Sequence, residues 1–268
     1  MAMNFFEAIV LGLVQGLTEF LPVSSSGHLV LTQELLGVDD KGVTFEILVH
    51  FGTLLSVVIY FWKPLWRMFL SILPPFRPEY QKDRKMIPYL IVASIPAAIV
   101  GFSPLKDSFE GVYEKPAMVA ALLIVTGVLL FLPRLLARRG KREIGYGSAL
   151  AMGVGQAFAI LPGISRSGST IVSGMLAGTK SSDAAEFSFL MAIPAIAAAA
   201  VLELRHLGDL QTDVLGPYIV GAVVAFVSGL GAIYTVLAAI RKGKFEFFGI
   251  YCLVAGVVGF LYFRSIGA

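Results

Sequence analysis

The sequence predicts an all-α polytopic membrane protein built as an inverted-topology repeat, with about six full spans and two opposed re-entrant helix hairpins, about ten helices in all. Three observations carry that expectation. The 268 residues are 57% hydrophobic and 15% charged, with a mean hydropathy of +0.81, too apolar for a soluble domain of this size. Lysines and arginines gather in short loops, which argues for membrane orientation and against nucleic-acid binding. A sequence pattern also recurs at a fixed interval: Gln15, Gly27 and Gly37 return 141 residues later as Gln156, Gly168 and Gly178.

Taken in order, apolar stretches of spanning length run from Val43 to Trp62, Met86 to Ser103, Pro116 to Leu136, Ala185 to Leu204, Pro217 to Ile240 and Phe247 to Phe263, each about the 20 residues that a bilayer core requires. Two further regions, 4–36 and 145–178, are apolar but interrupted by LPVSSSG and LPGISRSG. Each reads as two half-length helices, a break tolerated at membrane depth only against protein or a wet cavity. The stretch from Lys63 to Lys85 is too short to fold alone, so 1–268 reads as one membrane domain with repeats over about 1–136 and 144–268. It is most simply a solvated face attracted to anionic lipid. One cysteine, Cys252, excludes an internal disulfide. With no basic residue before Lys41, the N-terminus reads as retained.

Charge then orients the spans. Lys63 to Lys85, Arg134 to Arg142 with Arg138 and Arg139, and Arg241 to Lys244 mark three cytoplasmic loops. For the count to close, 145–178 enters and returns on the cytoplasmic side while 4–36 does so on the outside, which puts both termini outside. Three spans separate the copies, so the second is upside down and the two broken loops should meet near the midplane.

The first loop holds the chemistry-bearing residues Gln15, Glu19, Ser24, Ser25, Ser26, Gly27 and His28. Gln15 and Glu19 share a helix face, Pro22 ends that helix, and the serines stand where a second helix needs N-cap oxygens and offers N–H groups to an anion. The second loop supplies Ser165, Arg166, Ser167, Gly168, Ser169 and Thr170. A guanidinium is costly there, and its fork of donors suits a phosphate or carboxylate. Together the loops hold an anion clamp beside a carboxylate, a histidine and hydroxyls, the parts that phosphoryl transfer to water needs.

These residues, Gln15-x-x-x-Glu19, His28 and Pro162-Gly163-x-Ser165-Arg166-Ser167-x-x-Thr170, resemble the signature of the bacterial undecaprenyl pyrophosphate phosphatases, and the likeness covers nearly the whole chain. The resemblance implies an inner-membrane enzyme that hydrolyses undecaprenyl diphosphate to undecaprenyl phosphate, recycles the carrier of cell-wall precursors, confers bacitracin resistance and depends on Mg²⁺ or Ca²⁺. It implies that Arg166 grips the diphosphate with the loop serines, Gly27, Gly168 and Thr170 around it. Glu19, helped by Gln15, would hold the cation. Many family members carry Glu at the first motif position; Gln15 ligates through its carbonyl and adds no charge. Ser25 is the candidate nucleophile and His28 the general base, with a phosphohistidine and direct attack by water left open. The family role favours a site open outward.

Each feature also has a plainer reading. Serines after a proline are usually caps, a single intramembrane histidine is usually a hydrogen-bonded interior group, and His50 and His206 read as structural for want of a partner motif. Glu46 and Glu186 divide between interface solvation and support of the site. Small-residue faces permit a homodimer. The alternative function is a transporter or flippase of a lipid phosphate, because opposed broken helices also build midplane transport sites.

Overall fold

A computed structural model describes residues 3–38, 43–104, 109, 111–136, 140–203 and 215–267; Lys41, Arg138, Arg139, His206 and the two terminal residues lie outside them. The described secondary structure is helical: α1 Phe5–Phe20, α2 Ser25–Leu36, α3 Val43–Tyr60, α4 Trp62–Ser71, a 3₁₀ turn at Pro78–Tyr80, α5 Gln81–Gly101, α6 Pro116–Leu135, α7 Tyr146–Phe158, α8 Arg166–Leu176, α9 Ser181–Glu203, α10 Leu215–Arg241 and α11 Glu246–Ile266. Five of these are long and apolar enough to cross a membrane, and α3 with α4 forms a sixth, bent pair. The polytopic all-α class is what the chain adopts.

The sequence dictates where each short helix begins and ends. Asn4 and Glu7 form a reciprocal capping box at the start of α1, each side chain accepting the other's N–H at 3.0 and 2.9 Å. At the other end Leu21, forced out of helical backbone by Pro22, takes φ −61°, ψ 140°. The Ser24 hydroxyl then accepts from Gly27 N at 3.3 Å and opens α2. The second copy repeats these bonds at an interval of 141. Ser165 Oγ accepts from Gly168 N at 3.0 Å. Ser24 O accepts from His28 N, and Ser165 O from Ser169 N. At the far ends Gly37 and Gly178, both in left-handed backbone at φ +64° and +91°, close α2 and α8 with the same paired bonds. These run from Val38 N to Gln33 O and Gly37 N to Glu34 O, and from Thr179 N to Gly174 O and Gly178 N to Met175 O.

The halves are crossed rather than side by side. The first helix of each copy packs on the penultimate helix of the other, α1 on α10 and α7 on α5. Matched glycines make this possible: a Cβ on Gly12 would lie 2.3 Å from Gly221 O, and one on Gly153 2.5 Å from Ala93 O. The last helices of the copies, α6 and α11, pair centrally through Gly127, Gly249 and Gly256. The largest apolar cluster surrounds the turns, with Phe20 edge-on to Phe189 at 5.6 Å among Val57, Leu130, Ile171 and Ile233.

One segment differs from expectation. The stretch from Lys63 onward, read as a solvated loop, begins with helix α4, bent 73° from α3. Pro64 explains the break, since it has no N–H to give Tyr60 O and its ring would clash there, yet it is tolerated in the first turn of a new helix.

Candidate active site

The two turns converge on one carboxylate. Glu19, on the last turn of α1 and 7% exposed, accepts on Oε1 from Arg166 Nη2 at 2.6 Å. On Oε2 it accepts from the Ser25 hydroxyl at 2.5 Å and from Gln15 Nε2 at 3.1 Å. The helix interval of four puts Gln15 behind Glu19, as the sequence pattern requires. Arg166 is itself held by Ser188 O at 3.2 Å.

The surrounding bonds fix the second turn firmly. Thr126 donates to Gly163 O at 2.8 Å and accepts from Ser165 N at 3.0 Å. Ser167 donates to Leu21 O at 3.0 Å, tying one turn to the other. Thr170 donates to the Arg166 and Ser167 carbonyls and meets Ser188 Oγ at 2.6 Å. Gly163, at φ +94°, passes so close to α6 that a Cβ would meet Val119 O at 2.5 Å. A cavity of about 720 Å³ opens over the site, lined by Glu19, Ser24, Ser25, Ser26, Ser165 and Arg166 at its polar end and by Ile196, Ala199 and Ala200 among its apolar wall.

Of the expected residues, Glu19, Ser24, Ser25, Ser26, Ser165 and Arg166 therefore share one cavity. Gln15, Ser167, Gly168 and Thr170 brace it from behind, and Gly27 lets the turns touch, with Gly163 Cα 3.0 Å from where its Cβ would be. The structure does not bring His28 to Ser25. Its Nδ1 faces Ser24 O at 2.8 Å and its Nε2 the Tyr251 hydroxyl at 2.8 Å, with the two rings stacked. A carbonyl only accepts, so Nδ1 carries the proton and Nε2 takes the Tyr251 O–H. In the neutral ring both nitrogens are occupied.

Three contributors were not expected: His50, Tyr251 and Thr126. His50, which the sequence left as structural, lines the cavity with Nε2 3.9 Å from Glu19 Oε2, while its Nδ1 donates to Glu46 O at 2.7 Å. Glu46 lines the same cavity; its spacing of four from His50 on one helix was the available signal. Tyr251 and Thr126 carried no such signal. Glu186, which stands 140 residues after Glu46 where the repeat slips by one, instead pairs with Arg241 at 3.6 Å.

The site offers few donors to a divalent cation. Gln15 turns its Nε2 to Glu19 and its Oε1 is buried without a partner, so the Glu19 carboxylate and, with the amide turned over, Gln15 Oε1 are the hard oxygens available. Glu19 already faces a guanidinium, and among the described residues no three His, Cys, Asp or Glu side chains converge on a metal position. The set fits a cation that shares its shell with an anionic ligand, which would supply the remaining oxygens.

Comparison with known proteins is consistent with this chemistry. The chain is 41% identical over 257 residues to an undecaprenyl-diphosphatase of Syntrophotalea carbinolica, covering 95% of this chain and 97% of the relative. It is 41% identical to one of Rhodopirellula baltica, over 95% and 96% of the two chains, and 40% identical to one of Halothermothrix orenii, over 96% and 97%. These relatives carry the name of a hydrolase, not of a transporter. The family model described as bacitracin resistance protein BacA matches residues 8–258, and the chain belongs to that family.

Proposed function

We propose that this protein is an integral-membrane phosphatase that hydrolyses undecaprenyl diphosphate to undecaprenyl phosphate and inorganic phosphate, so recycling a lipid carrier and conferring bacitracin resistance. The observation that carries the reading is the Ser25 hydroxyl donating to Glu19 at 2.5 Å, inside a cavity where Arg166 reaches the same carboxylate at 2.6 Å. A nucleophile paired with a base and an anion clamp is what diphosphate cleavage requires, and lipid transport has no use for the serine–carboxylate pair.

In this reading Arg166 turns its fork from Glu19 to the terminal phosphate. Glu19, freed of its counter-ion, takes the Ser25 proton as Ser25 Oγ bonds to the terminal phosphorus. The bond from that phosphorus to the bridging oxygen breaks, Glu19 passes the proton to that oxygen, and undecaprenyl phosphate leaves. Water, losing a proton to the regenerated Glu19 carboxylate, then attacks the phosphoserine; the P–Oγ bond breaks, Glu19 returns the proton to Ser25 Oγ, and inorganic phosphate leaves. Glu19 thus replaces His28 as base, and His28 holds the Ser24 carbonyl and so the turn. A divalent cation, held by Glu19 and Gln15, would neutralise charge on the diphosphate oxygens.

The cavity reaches Pro116, at the start of α6, whereas Arg134 and Arg241 stand at the ends of α6 and α10. With basic ends cytoplasmic, the site faces the outer side of the bacterial inner membrane. The test is phosphate release from a prenyl diphosphate by detergent-purified protein with Mg²⁺ or Ca²⁺. Wild type is expected to turn over and to yield a labelled phosphoprotein, and Ser25→Ala to lose about 10³-fold or more. Binding of the lipid without any release overturns the hydrolase; full turnover by Ser25→Ala overturns the nucleophile.

A further inference from the structure

Helix α4 has three faces rather than two. Phe61, at its N-cap, with Leu65 and Met68, packs into the largest apolar cluster. Trp62, Trp66 and Phe69 form a second stripe that no other described element covers: they are 57%, 47% and 49% exposed and stack on one another with ring centroids 5.8 and 5.3 Å apart. Lys63 and Arg67 form the third. The apolar exposure continues past the helix through Ile72, Leu73 and Phe76, with the Arg84 guanidinium 5.1 Å above the Phe76 ring.

Position gives this pattern its meaning. The 18 residues of α3 reach about 27 Å, close to the thickness of the hydrocarbon core. The residues of α3 that line the cavity, Glu46, Ile47 and His50, lie near its start, so α4 begins at the opposite, basic side. The 73° bend lays α4 near the membrane plane once α3 crosses it. Aromatic rings that leave a span at headgroup depth belong to an interfacial belt. The segment from Lys63 to Lys85 has six basic and two acidic residues. Asp83 sits on Arg67 at 3.3 Å, Glu79 on Arg77 at 3.6 Å and Glu143 on Lys82 at 3.7 Å, which still leaves a net positive strip beside the aromatic one.

We infer that α4 and the segment after it form a binding surface for anionic phospholipid headgroups of the cytoplasmic leaflet, with Trp62, Trp66 and Phe69 seated at the acyl boundary and Lys63 and Arg67 on the phosphates. This surface is separate from the cavity and stands whether or not the phosphatase reading does.

The chain has two tryptophans, both on α4, so tryptophan fluorescence, excited selectively over the tyrosines, reports this helix alone. The protein in nanodiscs is titrated with brominated phosphatidylglycerol and, separately, brominated phosphatidylcholine. Strong quenching by both is expected, with an apparent affinity about fivefold higher for the anionic lipid per engaged charge. Lys63→Gln with Arg67→Gln brings the ratio toward one, at an unchanged melting temperature in detergent. Wild type alone decides the matter if the variant proves unstable. Equal quenching by the two lipids overturns the headgroup assignment. Quenching by aqueous iodide in place of lipid overturns the membrane contact, and shielding from both, as a second protein copy would produce, overturns it as well.

Discussion

Ser25 and Arg166 hold the same place in two copies of one turn. Each is the first residue of a short helix, each follows a capping serine, and both reach the Glu19 carboxylate, at 2.5 and 2.6 Å. Around them the copies diverge. Where the last turn of α1 holds Glu19, the matching stretch of the second copy, just past α7, has Ala159 and Ile160; where the first has His28, the second has Ser169. The second turn puts its left-handed residue on a glycine, Gly163, and is pinned by Thr126. The first puts it on Ser24, at φ +70°, a conformation that costs a non-glycine residue about 1–2 kcal/mol. The second turn is a braced clamp, and the first is a strained turn that presents hydroxyls. A duplicated backbone has thus been kept for its geometry while the two sets of side chains took different work.

The strongest way to break that comparison is to exchange the residues. The double variant Ser25→Arg, Arg166→Ser keeps the composition and the pseudo-symmetric positions, and is expected to lose about 10³-fold or more in kcat/KM for phosphate release. Retention of a tenth of the activity would mean that the turns are interchangeable. Arg166→Lys is milder, about 10- to 100-fold, because one ammonium replaces a fork that must serve both Glu19 and a phosphate; kinetics at saturating and limiting substrate separate its effects on binding and turnover. Thr126→Val tests the bracing. Two backbone groups of the second turn, Gly163 O and Ser165 N, lose their buried partner, and a loss of about 1–3 kcal/mol in stability is expected from melting in detergent. The smallest effect sharpens the difference between the paired glutamines. Gln156→Leu, which removes an orphan buried oxygen, should leave stability within about 1 kcal/mol and activity unchanged. Gln15→Leu strips Glu19 of a donor and should lower kcat/KM a few-fold.

The repeat, the broken hairpin helices and the Glu19–Ser25–Arg166 set were legible because each rests on local spacing: an interval of four on a helix, a proline that ends it, a serine that caps the next. His28 was legible as a residue but not in its contacts. A side chain in the first turn of a helix leans back toward the N-terminus, and here that carries the ring onto Ser24 O and Tyr251 rather than onto Ser25. His50 shows the converse: only its spacing of four from Glu46 marks it, and the packing of α3 brings it to Glu19. Thr126 and Tyr251 are distant in sequence from what they hold. Helix α4 was hidden by composition, because proline and charge in a short stretch read as loop until the three faces are seen.

The crossing of α1 onto α10 sets a condition on biosynthesis. The helix that carries Glu19 leaves the ribosome well before the helix beginning at Leu215, whose backbone receives Gly12. Until α8 and α10 are inserted, Glu19 lacks its Arg166 counter-ion and α1 lacks the helix on which it packs. Fragments split between the repeats should each be incompetent, and become active only when both halves are produced in the same membrane.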